Sequence, residues 1–475
     1  MRDRLYLSIP FIFILTVGLY SQSMPVFFNG KNIEYAGKEL EFYYYTERIY
    51  DTRKSVSKVI VDNDGNFSIS FLLESTQCVY CQTPLYKAFL FAEPGRSYNI
   101  ELPPLPAGKT DDTRNVFFVP PLWHMVPTSE NTVGRSELNN AIFKFNQQFE
   151  PFLDKQILRY YDAERSREKL DSFALALNDH AGPSGNEYFE SYRLYKLATL
   201  GFLVNQFNRN DLFEKYLMDK PARPDVPSWW EFFNLYFDGY FSSLTNQPDF
   251  AGIYSLIGNG DYSSLNMILK KDPILQNDQV REWVILRELQ SAHYESGLPL
   301  PTLTALCDSL IFNSSDPITK IISERLKKEA SSMLKGFPIP QAKLKSADGD
   351  SLEIPFNGSK YVYIGFCSLN NLECLQEFEY LKYYYHKYRK YLEIVVIIPA
   401  DEKEKIQSFY DENQIPWKFY YGANSSALMQ DYKIKAFPVF YLVDREGKLI
   451  MSPAVLPSDG FEQQLFSILK GNGEI

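Results

Sequence analysis

Residues 25–106 alternate between short apolar runs and turn-forming residues, a pattern typical of β-strands. The runs are Leu40–Tyr45, Val56–Val61, Phe67–Leu73, Tyr86–Phe91 and Ser97–Leu102. Asp62–Asn66 lies between two of them and predicts a hairpin turn, because Gly and Asn tolerate a positive φ. The pattern predicts an antiparallel β-sandwich over residues 25–106, which ends in a proline-rich segment.

Apolar residues change to helical spacing between residues 135 and 335. Leu138, Ile142, Phe145, Phe149 and Phe152 recur at steps of three and four, as on one face of an amphipathic helix. The segment shows no repeat of fixed period, so a helical solenoid is not expected. We therefore predict an all-helical middle part.

Residues 336–475 alternate between buried-strand runs and helical runs. Tyr361–Phe366 and Ile394–Ile398 are strand-like, and the helical segment Leu375–Tyr391 lies between them. A further strand is predicted at Val439–Val443, followed by a turn and a second strand of a hairpin. This alternation predicts a central sheet with helices on both faces, so the fold class is a multidomain α+β protein with a C-terminal α/β domain.

The first 23 residues have the pattern of an export signal. Arg2 and Arg4 precede the apolar run Leu5–Leu19, and small residues at Ser21 and Ser23 fit a cleavage site. The run is short for a membrane span, although an uncleaved membrane anchor is the alternative. We expect the rest of the chain to be periplasmic or otherwise extracytoplasmic, with a membrane contact only if the signal is retained.

Composition and charge restrict the classes of partner. Hydrophobic residues make up 45% of the chain, so most of it should fold. The formal net charge of −10, without a cluster of Lys and Arg, argues against nucleic acid as a partner. The four histidines are scattered and no nucleotide-binding or metalloprotease motif is present, so neither a cofactor nor a metal site is predicted.

The chain has five cysteines, which is few for a disulfide-stapled protein of 475 residues. Cys78 and Cys81 form a C-x-x-C motif in the β segment. In an extended strand their side chains would point to opposite faces, so a disulfide requires a turn at this position. A disulfide, two inert thiols and half of a metal site remain as alternatives, although no second Cys or His pair lies near enough in sequence to complete a metal site.

Two stretches of the C-terminal segment carry a resemblance to a known family. Residues 366–377 read FCSLNNLECLQE, and residues 434–448 read IKAFPVFYLVDREGK. They resemble the redox motif and the proline-strand-turn motif of the thioredoxin-like superfamily, in particular the exported TlpA and ResA type. The chain as a whole resembles thioredoxin-like proteins of Bacteroidota-type envelopes that carry an N-terminal β domain. The resemblance implies a thioredoxin-like fold over residues 336–475.

The alignment also implies that the usual redox motif is degenerate. Glu377 aligns with the family's glutamate, which places Cys374 at the second cysteine and Asn371 at the lost nucleophile position. Cys367 stands where the family has a buried tryptophan, and Gly365 stands where it has a buried polar residue. An asparagine cannot attack a disulfide, so the ordinary reaction is expected to be impaired.

The resemblance further implies a cis peptide bond before Pro438 and a peptide-binding edge at Phe437. Phe437, Pro438 and Glu377 are therefore the candidate binding residues. Cys367 and Cys374 are either a disulfide across the strand-to-helix loop or two small buried residues.

These observations favour a redox-impaired extracytoplasmic module that uses the thioredoxin scaffold to bind a polypeptide or envelope protein partner. One alternative is a thiol-disulfide oxidoreductase that acts through Cys374 with Cys367, or through Cys78 and Cys81. A second alternative is a structural subunit of an envelope complex. The sequence leaves open whether the protein is an enzyme.

Overall fold

The computed structural model describes residues 23–83, 85–105, 119–127, 138–157, 185–203, 208–354, 358–422 and 425–475. The predicted export signal, residues 1–23, lies outside these ranges except for its last residue. Within the described part of the chain, no helix has the length and apolar character needed to cross a membrane.

The N-terminal part consists of two facing sheets. Its strands are β1 Met24–Lys31, β2 Glu39–Tyr45, β3 Arg53–Ile60, β4 Asn66–Leu73, β5 Gln77–Gln82, β6 Lys87–Ala92, β7 Ser97–Ile100 and β8 Leu122–His124. The three-stranded sheet has the order β4-β1-β7, and the five-stranded sheet has the order β3-β2-β5-β6-β8. Alternate residues such as Phe28, Phe42 and Leu90 fill the core between the two sheets.

Two strand pairs of this β-sandwich, β1 with β7 and β6 with β8, are parallel, whereas the sequence predicted antiparallel pairing throughout. In each parallel pair the chain leaves the sheet between the two strands and returns in the same direction. Strands β2 and β3 of the other sheet come between β1 and β7, and β7 of the other sheet comes between β6 and β8. Strands β1, β5 and β8 were not predicted from the sequence, and β8 lies beyond the predicted end of the β-sandwich at residue 106.

The middle part is helical, as the sequence predicted. Its helices are α1 Leu138–Ile157, α2 Glu187–Leu203, α3 Arg209–Tyr216, α4 Pro227–Tyr236, α5 Tyr240–Leu244, α6 Ile253–Gly258, α7 Tyr262–Leu269, α8 Asp278–Ser296, α9 Leu300–Asn313 and α10 Pro317–Ser331. Their shared core includes Trp229, Trp230 and Trp283. Tyr43 and Phe91 of the five-stranded sheet extend into the same core, so this sheet is buried on both faces.

The C-terminal part is built on one seven-stranded sheet. Its strands are β9 Ala342–Ser346, β10 Ser351–Ile354, β11 Tyr361–Phe366, β12 Leu392–Ile397, β13 Phe419–Gly422, β14 Val439–Val443 and β15 Leu449–Ala454. Its helices are α11 Leu372–Tyr388, α12 Ile406–Asn413, α13 Ser425–Asp431 and α14 Phe461–Gly471, with a 3₁₀ helix at Ala400–Lys405. The strand order is β10-β9-β13-β12-β11-β14-β15.

The central strands β11, β12 and β13 are parallel, and β14 runs antiparallel to β11. Helices α11 and α14 cover one face of the sheet, where Phe378 and Phe461 are buried. Helix α13 covers the other face through Met429. This arrangement confirms the predicted α/β domain with helices on both faces, and it places the start of α11 at the end of β11.

Candidate functional site

Asn371 is the N-cap residue of α11. Its side-chain oxygen accepts hydrogen bonds from the backbone N–H groups of Glu373 (2.9 Å) and Cys374 (3.2 Å). These groups are among the donors that have no partner within a helix, and they would stabilise a thiolate at this position. The Asn371 carboxamide therefore occupies the electrostatic site that a nucleophilic cysteine would use.

Phe437 and Pro438 lie next to Asn371. The Asn371 side-chain amide lies 3.5 Å from the carbonyl oxygen of Phe437, to which it donates. The peptide bond between Phe437 and Pro438 is cis, which confirms the expectation from the resemblance. Phe437 is half-buried, and no backbone hydrogen bond among the described residues uses its N–H group. The two motifs that are 66 residues apart in sequence therefore meet at one place.

Cys374 is the third residue of α11, on its first turn, and is fully buried. Its sulfur accepts a hydrogen bond from the backbone N–H of Ser368 at 3.3 Å. A hydrogen bond from the neighbouring Cys367 thiol lowers the pKa of Cys374, whereas burial raises the pKa of Cys367 well above its usual value. Both cysteines are free thiols in this structure.

A buried carboxylate holds the loop between β11 and α11. Glu402 accepts hydrogen bonds from the Ser368 hydroxyl (2.6 Å), the Leu369 N–H (2.6 Å) and the Asn370 side-chain amide (2.9 Å). Lys405 in turn donates to the Asn370 side-chain oxygen at 2.6 Å. The three contacts to one carboxylate fix the loop residues that precede Asn371.

Glu402 was not predicted from the sequence as a residue of this site. The sequence nevertheless indicates that Glu402 could lie near the site. Glu402 follows the buried strand β12, and the ends of neighbouring parallel strands, here β11 and β12, meet at one edge of a sheet. Its partner could not be read from the sequence, since Ser368 is 34 residues away.

Glu377, a candidate binding residue, is buried and has a different role. Its two carboxylate oxygens accept hydrogen bonds from the Ser458 N–H (2.8 Å) and the Ser458 hydroxyl (2.6 Å). The carboxylate thus connects α11 to the segment before α14. Both oxygens are engaged within the domain, so the structure gives Glu377 a structural role, and its role in binding stays a prediction.

Gly365 has a steric reason to lack a side chain. A Cβ atom at this position would lie 2.4 Å from a ring carbon of Phe440, on the paired strand β14. The Phe440 ring is itself stacked on Tyr363, at 4.9 Å between ring centroids. The Phe440 ring therefore fills the space that an acidic side chain at position 365 would need, and Gly365 itself provides no carboxylate that could transfer protons at this site.

Cys78 and Cys81 lie within β5 and not on a turn. The Cys78 side chain enters the core shared with the helices, whereas Cys81 enters the core of the β-sandwich. The two side chains therefore lie on opposite faces of the sheet, so the structure contradicts the disulfide alternative and agrees with the alternative of two free buried thiols. Burial raises the pKa of each thiol to about 12, which makes both unreactive.

No group of three or more His, Cys, Asp or Glu residues within the described ranges is arranged to hold a metal ion. The groups that the start of α11 offers are the capped helix N-terminus, the two buried thiols of Cys367 and Cys374, and the half-exposed backbone at Phe437.

Comparison with known proteins agrees with this fold. Residues 358–449 match a family model described as thioredoxin-like. No curated protein matches the chain. The matched residues lie within the C-terminal part built on the seven-stranded sheet, which is therefore a thioredoxin-like domain, and the family match covers less than half of the chain.

Solved structures similar to this domain come from several bacteria. They include the thioredoxin domain of a thiol-disulfide oxidoreductase from Bacteroides vulgatus (22% identity, 29% of this chain and 99% of that chain, TM-score 0.26). A thiol:disulfide interchange protein from Bacteroides sp. has 23% identity over 29% of this chain and 89% of that chain, with a TM-score of 0.25. An exposed lipoprotein thioredoxin from Streptococcus pneumoniae strain TIGR4 has 18% identity over 27% of this chain and 99% of that chain, with a TM-score of 0.24.

Proposed function

We propose that the C-terminal domain binds an extended polypeptide and performs no thiol–disulfide exchange at the position of Asn371. The observation that carries this proposal is the hydrogen-bonded cap that Asn371 forms at the start of α11. A carboxamide has no nucleophilic sulfur, and its oxygen already takes the N–H donors that would lower the pKa of a thiol. The thioredoxin scaffold then retains its recognition surface without its reaction.

Polypeptide binding is supported by the surface around Phe437. Its backbone N–H has no partner among the described residues, and an extended peptide can pair with such an edge. Leu372, the first residue of α11, exposes 70% of its surface immediately beside the capped position. A backbone edge and an apolar side chain together are suited to a peptide segment with at least one apolar residue.

A titration with a permanently unfolded polypeptide tests this proposal. The probe is reduced, carboxymethylated α-lactalbumin, which has no free thiol and no disulfide, so that binding is measured without redox chemistry. We expect saturable binding to the full chain by calorimetry, weakened at least about tenfold by Leu372→Ser, which removes an apolar contact worth about 1–3 kcal/mol.

The matched control is Leu72→Ser, which removes a leucine of similar exposure (64%) from the outer face of the N-terminal sheet. Equal binding by the wild type and both variants would contradict a site beside Leu372. Absence of any binding to the probe would contradict the proposed function itself.

The oxidoreductase alternative predicts a different result. It requires turnover through Cys374 with Cys367, because Cys78 and Cys81 lie on opposite faces of β5. We expect the full chain to reduce insulin disulfides no faster than its Cys374→Ser variant in the presence of dithiothreitol. A rate that approaches that of an active thioredoxin and is lost in Cys374→Ser would establish the alternative instead.

We also propose that the protein works outside the cytoplasm, because Arg2, Arg4 and the apolar run Leu5–Leu19 have the pattern of an export signal. Expression of the full chain followed by separation of envelope fractions tests this proposal. We expect an extracytoplasmic protein whose N-terminus, measured by mass spectrometry, follows Ser21 or Ser23. A cytoplasmic protein that retains residues 1–23 would contradict it.

A further inference from the structure

Cys367 and Cys374 are the two thiols of this chain that lie beside each other. Cys78 and Cys307 contribute to the core of the helical part, and Cys81 lies in the core of the β-sandwich. Cys367 and Cys374 share one core, and the N–H group that follows Cys367 in the chain donates to the Cys374 sulfur at 3.3 Å. The contact brings the end of β11 and the first turn of α11 together across the intervening loop.

We propose that Cys367 and Cys374 form a disulfide under oxidising conditions, and that this bond is a switch that releases the loop held by Glu402. The bond itself is independent of the proposed peptide binding. Its regulatory meaning rests on the proposed function, because the loop leads directly into Asn371 beside Phe437.

The oxidant is another disulfide, such as oxidised glutathione. The Cys374 thiolate attacks one sulfur of the oxidant, which releases one glutathione thiolate and forms a mixed disulfide. Cys367 then attacks the Cys374 sulfur, its proton passes to the second departing glutathione thiolate, and the internal disulfide forms. Two protein thiols are oxidised while one disulfide is reduced to two thiols. Cys374 is the attacking group because its pKa is lowered and that of Cys367 is raised.

Loop displacement follows from the contacts that this reaction changes. In the thiol form, the Cys374 sulfur accepts the Ser368 N–H, and the Ser368 hydroxyl donates to Glu402. A disulfide requires the two sulfurs to approach to about 2 Å, which displaces the backbone next to Cys367. Ser368 is that neighbour, so the displacement weakens the contacts of Glu402 with Ser368 and Leu369.

Burial makes this reaction slow and dependent on loop opening. Cys367 and Cys374 have no exposed surface, so an oxidant reaches them only when the loop held by Glu402 opens. Glu402→Gln weakens that hold and should speed oxidation by about tenfold, because one of the two acceptor oxygens becomes an NH2 donor. That group then faces either the Leu369 N–H or the Ser368 and Asn370 donors, and the hydrogen bonds on that side are lost. The matched control is Glu404→Gln, an exposed neighbour in the same 3₁₀ helix.

The experiment equilibrates the full chain with reduced and oxidised glutathione at a series of ratios, followed by alkylation and mass mapping. We expect one disulfide, Cys367–Cys374, with the other three thiols alkylated after unfolding. Cys307→Ser should leave this bond unchanged, whereas Cys374→Ser should abolish it. Five free thiols at the most oxidising ratio, or a different bonded pair, would overturn the proposal.

Hydrogen exchange distinguishes a switch from an inert bond. In the thiol form the N–H groups of Leu369 and Asn370 are bonded to Glu402 and to the Ser368 hydroxyl. We expect these two amides to exchange at least about tenfold faster in the oxidised protein. Unchanged exchange would show a disulfide without a switch and would overturn the regulatory part. Failure of the full chain to bind an unfolded polypeptide would leave the mass map and the exchange rates unaffected, so the two proposals fail separately.

Discussion

The side-chain oxygen of Asn371 accepts a hydrogen bond from the backbone N–H of Cys374 at 3.2 Å. Asn371 is the N-cap of α11, and Cys374 follows it by three positions, on the first turn of the helix. The spacing is that of a C-x-x-C motif in which the first residue carries a carboxamide in place of a sulfur. This contact stabilises the helix, because it satisfies backbone N–H groups that have no partner within the helix.

The hydrogen-bonded cap that Asn371 forms on α11 should contribute measurably to the free energy of unfolding. Asn371→Ala removes the acceptor for Glu373 N–H and Cys374 N–H, so we expect a loss of about 1 kcal/mol in the free energy of unfolding. Asn371→Asp keeps the acceptor and adds a negative charge at the helix N-terminus, but it loses the amide that donates to Phe437, so we expect it to lie between the alanine variant and the wild type in stability. Denaturant unfolding of the three proteins measures the difference. Equal stability of the alanine variant would show that the cap is not formed in solution.

A cysteine at position 371 should be a reactive thiol that can form a disulfide. Asn371→Cys places a sulfur at the helix N-terminus, where the free N–H groups should lower its pKa below the roughly 8.5 of an ordinary cysteine. We expect it to form a disulfide with Cys374 under mild oxidation, reversible by dithiothreitol and detectable by mass mapping. Pairing with Cys367 alone would show that the loop follows a different path from that of the family.

A side chain at position 365 should lower the stability of the protein, because the Phe440 ring leaves no room for it. Gly365→Ala forces a methyl group against the Phe440 ring, and we expect a loss of about 1–3 kcal/mol of stability. Combining it with Phe440→Leu should cost less than the sum of the two single changes, because the smaller side chain makes room. Gly258→Ala is the control, since a methyl group there meets no atom within 4 Å. A fully stable Gly365→Ala protein would contradict the close contact.

His124 should make the protein sensitive to acid. Burial lowers the pKa of His124 from its usual 6.5 to about 4, with its ring stacked on Phe89 at 4.8 Å. Because the unfolded state binds a proton at higher pH than the folded state, stability is complete above about pH 6.5 and falls as the pH drops toward 4. The full effect is on the order of 3 kcal/mol.

Unfolding in denaturant at pH 7.5 and pH 5 measures this dependence. His124→Phe should reduce the difference in stability between the two pH values, since it keeps the aromatic packing and removes the titrating group. His386→Gln, at an exposed position of α11, should leave the difference unchanged. An identical pH dependence in His124→Phe would assign the acid sensitivity to other groups.

Sequence alone determined the elements of this protein whose signals are local. The alternation of buried runs and helical segments after residue 336 predicted the α/β domain, and Tyr361–Phe366 and Val439–Val443 occupy the strands expected of them. The position of Asn371 relative to Cys374 was likewise readable, since it depends on spacing within one segment. Strand β5 was not predicted, because its four central residues are all buried and so show no alternation of apolar and polar side chains. Burial on both faces of the five-stranded sheet holds this segment extended.

Only the tertiary structure decided what the site residues contact. Glu377 is bonded to Ser458, and Glu402 is bonded to the loop before Asn371, across separations of 81 and 34 residues. A single sequence contains no signal for such pairs, because hydrogen-bond partners of a buried carboxylate are set by which segments the sheet brings together. The same reason separates Cys78 from Cys81 and brings Cys367 next to Cys374: strand direction and loop path, rather than spacing, decide which thiols share a core.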